Sequence, residues 1–346
     1  MNRRKQVQDL DRALVRAVAD LHGPPTWGER TRSASRLFAF ALLLVAGMTL
    51  YWWMPPGSVG FLALLLAGVA YALLLIATHE MVHGTLFGWP ALESVLGCLL
   101  SWPMAWPFVT YARLHRLHHR WNGLDGRDPE RTQSLPHDRL ASHPLGHLLQ
   151  RHPIALRCAL LGGVGLILDT ARNGWRLRRV DPRLQAARWW DGLGVVFLHA
   201  LLLAWAIAHG VLLRYVLFWI VLERVIGAIV QYRGLVEHHG LWRRADAAPL
   251  SHALPPRLRQ LATSRDVESG PWLNALMGGL PHHSTHHAFP ALASARLPIA
   301  TARLAVVLQR HGWPEPVRLP GYAAMLRDPQ WQSAPAHIPP GRTGMP

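Results

Sequence analysis

The sequence predicts an all-α integral membrane protein built on two transmembrane helical hairpins, four spans in all, with interfacial helices and a cytoplasmic helical cap. Three observations carry that prediction. Half of the 346 residues are hydrophobic, and they gather in runs close to the ~20 residues that cross a bilayer as a helix. Of the 36 Lys and Arg residues, 34 lie in Met1 to Arg36, His79 to Asp191 and Gln231 to Pro346, while the short turns between runs carry none. Histidines gather in clusters within the polar segments.

The first span covers Leu37 to Met54 and the second Val59 to Thr78, joined by a Pro-Pro-Gly turn. Before them stands a segment of 36 residues with eight basic and four acidic side chains. No small-residue cleavage site is evident, so the first run reads as a retained span and not a signal peptide. The second hairpin joins Leu193 to Ala208 with Val211 to Val230 through His209-Gly210. Arg214, Glu223 and Arg224 interrupt its last span and require either an interfacial position or partners inside the bundle.

Two more apolar stretches, Ser94 to Val109 and Ile154 to Leu168, look like spans but are placed along the membrane surface. Histidine clusters that share a site must be separated by an even number of crossings. The 31 residues from Gly84 to Leu114 are too few for two helices of about 20 residues each. Ile154 to Leu168 contains Arg157 and is flanked by arginines.

The domain organisation is therefore a cytoplasmic segment over residues 1–36, a membrane domain over 37–311 and a loosely ordered Pro-rich tail over 312–346. Cytoplasmic regions are expected at 79–192 and 231–311. The formal charge of +16 follows from the positive-inside rule and anionic headgroups, so no nucleic-acid partner is implied. That places the chain as a multi-pass protein, in the inner membrane if bacterial, with both termini in the cytoplasm. Cys98 and Cys158 are too few for a Cys-ligated iron-sulfur cluster or a disulfide framework.

Four stretches carry the chemistry: "HEMVH" (His79 to His83), "HRLHH" (His115 to His119), "EHHG" (Glu237 to Gly240) and "HHSTHH" (His282 to His287). Residues three and four apart share a helix face, so each cluster is a chelating surface. Two donors from the first, three from the second, one from Glu237-His238 and three from the last make nine imidazoles, which suit two ions of iron, copper or zinc. His239 and His282 point elsewhere on a helix. His199, His209, His137, His143, His147, His152, His252, His311 and His337 read as structural.

Two other readings compete. "HEMVH" also fits a site-2-type intramembrane zinc protease, with His79, His83 and Asp125 of "LDG" on zinc and Glu80 as base. That reading leaves seven patterned histidines idle, and "NGLDGRDPER" follows no span. A metal or haem transporter would need ionisable groups near the bilayer midplane, whereas these ligands sit at a membrane end.

The stretches "HEMVHGTLF", "HRLHHRWNGLDGRDPE", "EHHGL" and "HHSTHHAFPALASARLP" resemble the membrane fatty acid desaturase superfamily in order, spacing and flanks, over about Val59 to Pro298. The resemblance implies two non-haem irons held by His79, His83, His115, His118, His119, His238, His283, His286 and His287. It makes Glu80, Asp128 and Glu237 candidates to accept the other ring N–H of a ligand. It further implies oxygen-dependent desaturation of a lipid acyl chain, with a hydroxylase or carotenoid oxygenase of the same superfamily as the alternative. No residue beyond the metal centre is expected to be catalytic. The chain has no cysteine cluster, no Gly-rich dinucleotide fingerprint and no fused haem domain, so electrons must come from a ferredoxin- or cytochrome-like donor.

Overall fold

The computed structural model describes residues 3–55, 57–132, 154–241 and 254–327, with positions 144, 148 and 152 between the second and third stretches. Helix α1 (Arg3–Ala17) precedes α2 (Trp27–Trp53) and α3 (Ser58–His83). α2 starts ten residues before the expected apolar boundary at Leu37, because Thr26 and Glu29 form a capping box that satisfies the first turn. α3 forms the centre of the bundle. Of its most apolar stretch 61% is buried, against 11% for α2, so α3 packs on protein where α2 leaves an apolar surface exposed. Close approach of the two depends on Gly47, where a Cβ would stand 2.7 Å from the Ala63 carbonyl oxygen.

After α3, α4 (Pro90–Ser101) and α5 (Phe108–Trp121) form a pair bent by 110°. The bend keeps the stretch ending at Val109 from running on as one straight helix. A π-helical turn, Ile154–Leu161, leads into α6 (Gly162–Arg176), followed by α7 (Arg183–Ala208) and α8 (Leu212–His238). Among the described residues, four helices are long and apolar enough to cross a membrane, Trp27–Trp53, Ser58–His83, Ile154–Arg176 and Arg183–Ala208, or five if the bent pair α4 and α5 is one span. α8 is as long as α2 and carries Arg214, Glu223 and Arg224 along its apolar part.

Those charges have partners inside the bundle. The Glu223 carboxylate accepts from the backbone N–H of Gly163 and Val164, at 2.9 and 3.3 Å. The Arg224 guanidinium donates to the carbonyls of Ala159, Leu160 and Leu161. Together they satisfy backbone groups where the helix changes from π to α geometry. Arg214 donates to the carbonyls of Tyr51 and Met54 and so ties the two hairpin tips together.

The cap contains α9 (Pro256–Thr263), strand β1 (Arg265–Val267), α10 (Pro271–Leu276), α11 (His283–Ala288) and α12 (Leu297–Arg310). The chain is mostly helical but not all-α. β1 pairs in parallel with β2 (Val317–Leu319), in register Arg265↔Val317 and Val267↔Leu319. This corrects the expectation of a loose tail from residue 312, because Leu319 and Met325 are buried against Leu235, Val236 and Val267. The remainder of that tail, like His137, His143, His147, His252 and His337, lies outside the described residues.

Candidate metal centre

Each histidine cluster sits where a helix delivers it. His79 and His83 occupy the last turn of α3, which stops at Gly84 in the left-handed conformation, φ 67°. His115, His118 and His119 lie on α5. The first N–H groups of α5 are held by Asp191 of α7, which accepts from Val109 and Thr110 at 3.1 and 2.7 Å and from the Trp102 indole at 2.9 Å. His238 ends α8. His283, His286 and His287 lie on α11, whose start is fixed by Asp266 of β1. That carboxylate accepts from the Ser284 backbone N–H and hydroxyl, at 2.8 and 2.7 Å. Burial pushes the Asp266 carboxyl up to about 6, against those two hydrogen bonds.

The structure brings all nine of these histidines together. His79, His83, His115, His119 and His286 form one group, each offering a donor atom, with the donors within 4.8 Å of one another. His118, His238 and His287 form a second, and Glu237, His238 and His283 a third that shares His238 with it. Ring nitrogens face each other at 2.9 Å for His79 and His286, 2.9 Å for His115 and His119, 2.9 Å for His238 and His283, and 3.3 Å for His118 and His238. Two nitrogens each ~2.1 Å from a common ion and at right angles would stand about 3.0 Å apart, so these spacings fit shared cations. Buried nitrogens without a partner, including Nε2 of His83 and His287, fit the same reading.

The outer ring nitrogens are held by oxygen acceptors. His118 Nδ1–H donates to Asp128 at 2.8 Å, His115 Nδ1–H to Glu130 at 2.7 Å, and His287 Nδ1–H to the Gln260 side-chain carbonyl at 2.9 Å. These bonds fix each tautomer and leave Nε2 as the inward donor. Burial opposes a charge on His118, yet Asp128, Glu130 and Glu237 outweigh it and raise that imidazole to about 9. His119, His283, His286 and His287 lie well below the ordinary histidine value, through burial and mutual repulsion. The group as a whole is poised to be neutral ligands, with one proton on His118 for an incoming cation to displace.

Of the three acidic residues expected around the site, Asp128 accepts from His118 Nδ1. Glu237 accepts from Arg233 Nε at 2.6 Å and comes within 3.4 Å of His283 Nε2. Glu80 differs. It turns from the histidines to the Arg36 guanidinium, an ion pair that ties α2 to α3 beside Gly278. Asp125 pairs with Arg127 at 2.6 Å and joins neither His79 nor His83. Glu130, Gln260, Asp191 and Asp266 escaped the sequence reading. For Glu130 the signal was the Asp-Pro-Glu that follows the second cluster, and for the others no local pattern points to a histidine.

The described residues form a mostly helical chain with several helices long and apolar enough to span a bilayer, and its clustered imidazoles could hold metal. The chain belongs to the fatty acid desaturase family, which it matches over residues 55–318. No curated protein matches it.

Proposed function

We propose that the protein is an oxygen-dependent di-iron desaturase that introduces a double bond into a lipid acyl chain. The observation that carries this reading is the convergence of nine imidazoles, from four motifs far apart in sequence, into adjoining donor groups within a chain of this family. His79, His83, His115, His119 and His286 would hold one iron, and His118, His238, His283 and His287 the other. Bound there, the irons supply oxygen activation and C–H oxidation.

The chain's own residues hold, orient and exclude. Asp128, Glu130 and Gln260 keep the Nδ1 protons in place. Trp106, Leu114 and Leu166 line a cavity that reaches His79 and His238 and offer an apolar path for a substrate chain. Electrons come from a separate ferredoxin- or cytochrome-like protein.

We further propose four crossings, with both termini and the metal centre in the cytoplasm. The Nε2 atoms of His118 and His238 lie 3.3 Å apart, yet among the described residues three long helices separate the two in sequence. An even number of those must cross. The helix Ile154–Arg176, π-helical over its first eight residues and with Arg157 inside it, is the one assigned to the membrane surface.

Expression in a host lacking such enzymes, followed by lipid mass spectrometry and metal analysis of the purified protein, tests the reading. A loss of two mass units in a lipid with iron bound is the expected result. A gain of sixteen would make the enzyme a hydroxylase, and zinc with unchanged lipids would overturn the assignment. His118→Ala and His286→Ala should each reduce activity to background and lower bound iron.

A further inference from the structure

Arg233 lies on α8, one turn before Glu237. Its side chain is 9% exposed, and it forms part of the wall of the cavity that also touches His79, His115, His238 and His283. The cavity measures about 150 Å³, well beyond the ~10–15 Å³ that a single water requires. Nε of the guanidinium donates to Glu237 at 2.6 Å. Among the described residues, no hydrogen-bond partner stands at either terminal nitrogen, and neither is sealed from the cavity.

A buried cation whose two terminal N–H groups open into a cavity requires an acceptor there. Of the carboxylates on the wall, Glu237 is engaged by Arg233 Nε and Glu130 by His115, while Asp169 stands opposite Arg157. The wall carries two further guanidinium groups, Arg131 and Arg157, so its cations outnumber the carboxylate left to face them. Parallel N–H groups at the tip of an arginine match the two oxygens of a carboxylate.

We propose that this cavity binds a free carboxylic acid, carboxylate inward on Arg233, with its chain along Trp106, Leu114 and Leu166. The proposal rests on the desaturase reading and narrows it, since an esterified acyl lipid has no carboxylate to offer. The acid head would then lie beside the metal centre, because one carboxylate, Glu237, bridges Arg233 to His283.

Equilibrium binding to the purified full-length protein, as isolated with its metals, in phosphatidylcholine nanodiscs under argon, tests the proposal. The probes are octanoate, laurate and palmitate, each against its matched alcohol and methyl ester, with monododecyl phosphate as a fourth arm. At least one acid should bind tighter than its alcohol and ester by about tenfold or more, the scale of a charge-assisted hydrogen bond. Arg233→Met should erase that preference and Arg233→Lys retain part of it. Equal binding of acids, alcohols and esters at all three lengths would overturn the proposal, as would a preference unchanged in Arg233→Met. Tighter binding of the alkyl phosphate than of any acid would also overturn it in favour of a phosphate ligand. The wild-type comparison decides the matter even if a variant does not fold. Because no turnover occurs under argon, the two failures are distinguishable: oxidised lipid in the expression experiment without a carboxylate preference would overturn this proposal alone, whereas a carboxylate preference without oxidised lipid would count against the desaturase reading.

Discussion

A histidine ligand is only as good as the group holding its far side. Asp128 is buried, takes the His118 Nδ1 proton at 2.8 Å, and also accepts from the Glu130 backbone N–H at 3.0 Å. One carboxylate thus orients a ligand and shapes the loop that brings Glu130 to His115. Asp128→Asn keeps the shape but removes the charge, and its amide can present an N–H where an acceptor is needed. Metal affinity should fall by about 10–100-fold, measured by competition with a chromophoric chelator, with helix content unchanged by circular dichroism. Affinity equal to wild type would show that Asp128 serves the loop alone. At this scale the sequence revealed the donors, because spacing of three and four along a helix is a local pattern. It concealed most of their supports: Gln260 reaches His287 from another helix, and Asp266 reaches α11 from a strand, contacts that only the tertiary fold creates.

Helices, in turn, need close packing to bring those donors together, and α8 must lie directly on α6. At Gly227 a Cβ would stand 1.7 Å from the backbone nitrogen of Gly163, a distance no side-chain rotation can relieve. Gly227→Ala therefore forces α8 away from the π-to-α junction and strains the Glu223 contacts to Gly163 and Val164. The expected cost is about 1–3 kcal/mol, read as a lowered melting temperature in detergent, with His238 displaced and metal content reduced. Gly234→Ala on the same helix, where nothing stands within 4 Å of the added carbon, is the control and should melt as wild type. The long apolar runs made the helices legible from sequence. Their true starts were not, since the capping box at Thr26 lies in a polar segment. The partners of Glu223 and Arg224 were equally hidden, because they are backbone groups about 60 residues away.

On the scale of the whole molecule, the charge distribution becomes a property of association. Positive charge accumulates on the segments around the second histidine cluster, where Arg120, Arg172, Arg176, Arg179 and Arg183 are exposed. Such a surplus attracts an acidic partner, and the proposed chemistry needs electrons from the separate donor proposed above. Steering by such a field is screened over about 30 Å at 0.01 M salt and about 3 Å at 1 M. The second-order rate of reduction by an acidic ferredoxin, followed by stopped-flow absorbance, should therefore fall at least about tenfold across that range. Replacing Arg120 and Arg172 with glutamine should lower the low-salt rate and flatten its salt dependence, while leaving the high-salt rate in place. A rate indifferent to salt in the unmodified protein would place the donor on another surface and leave the basic face to the headgroups alone.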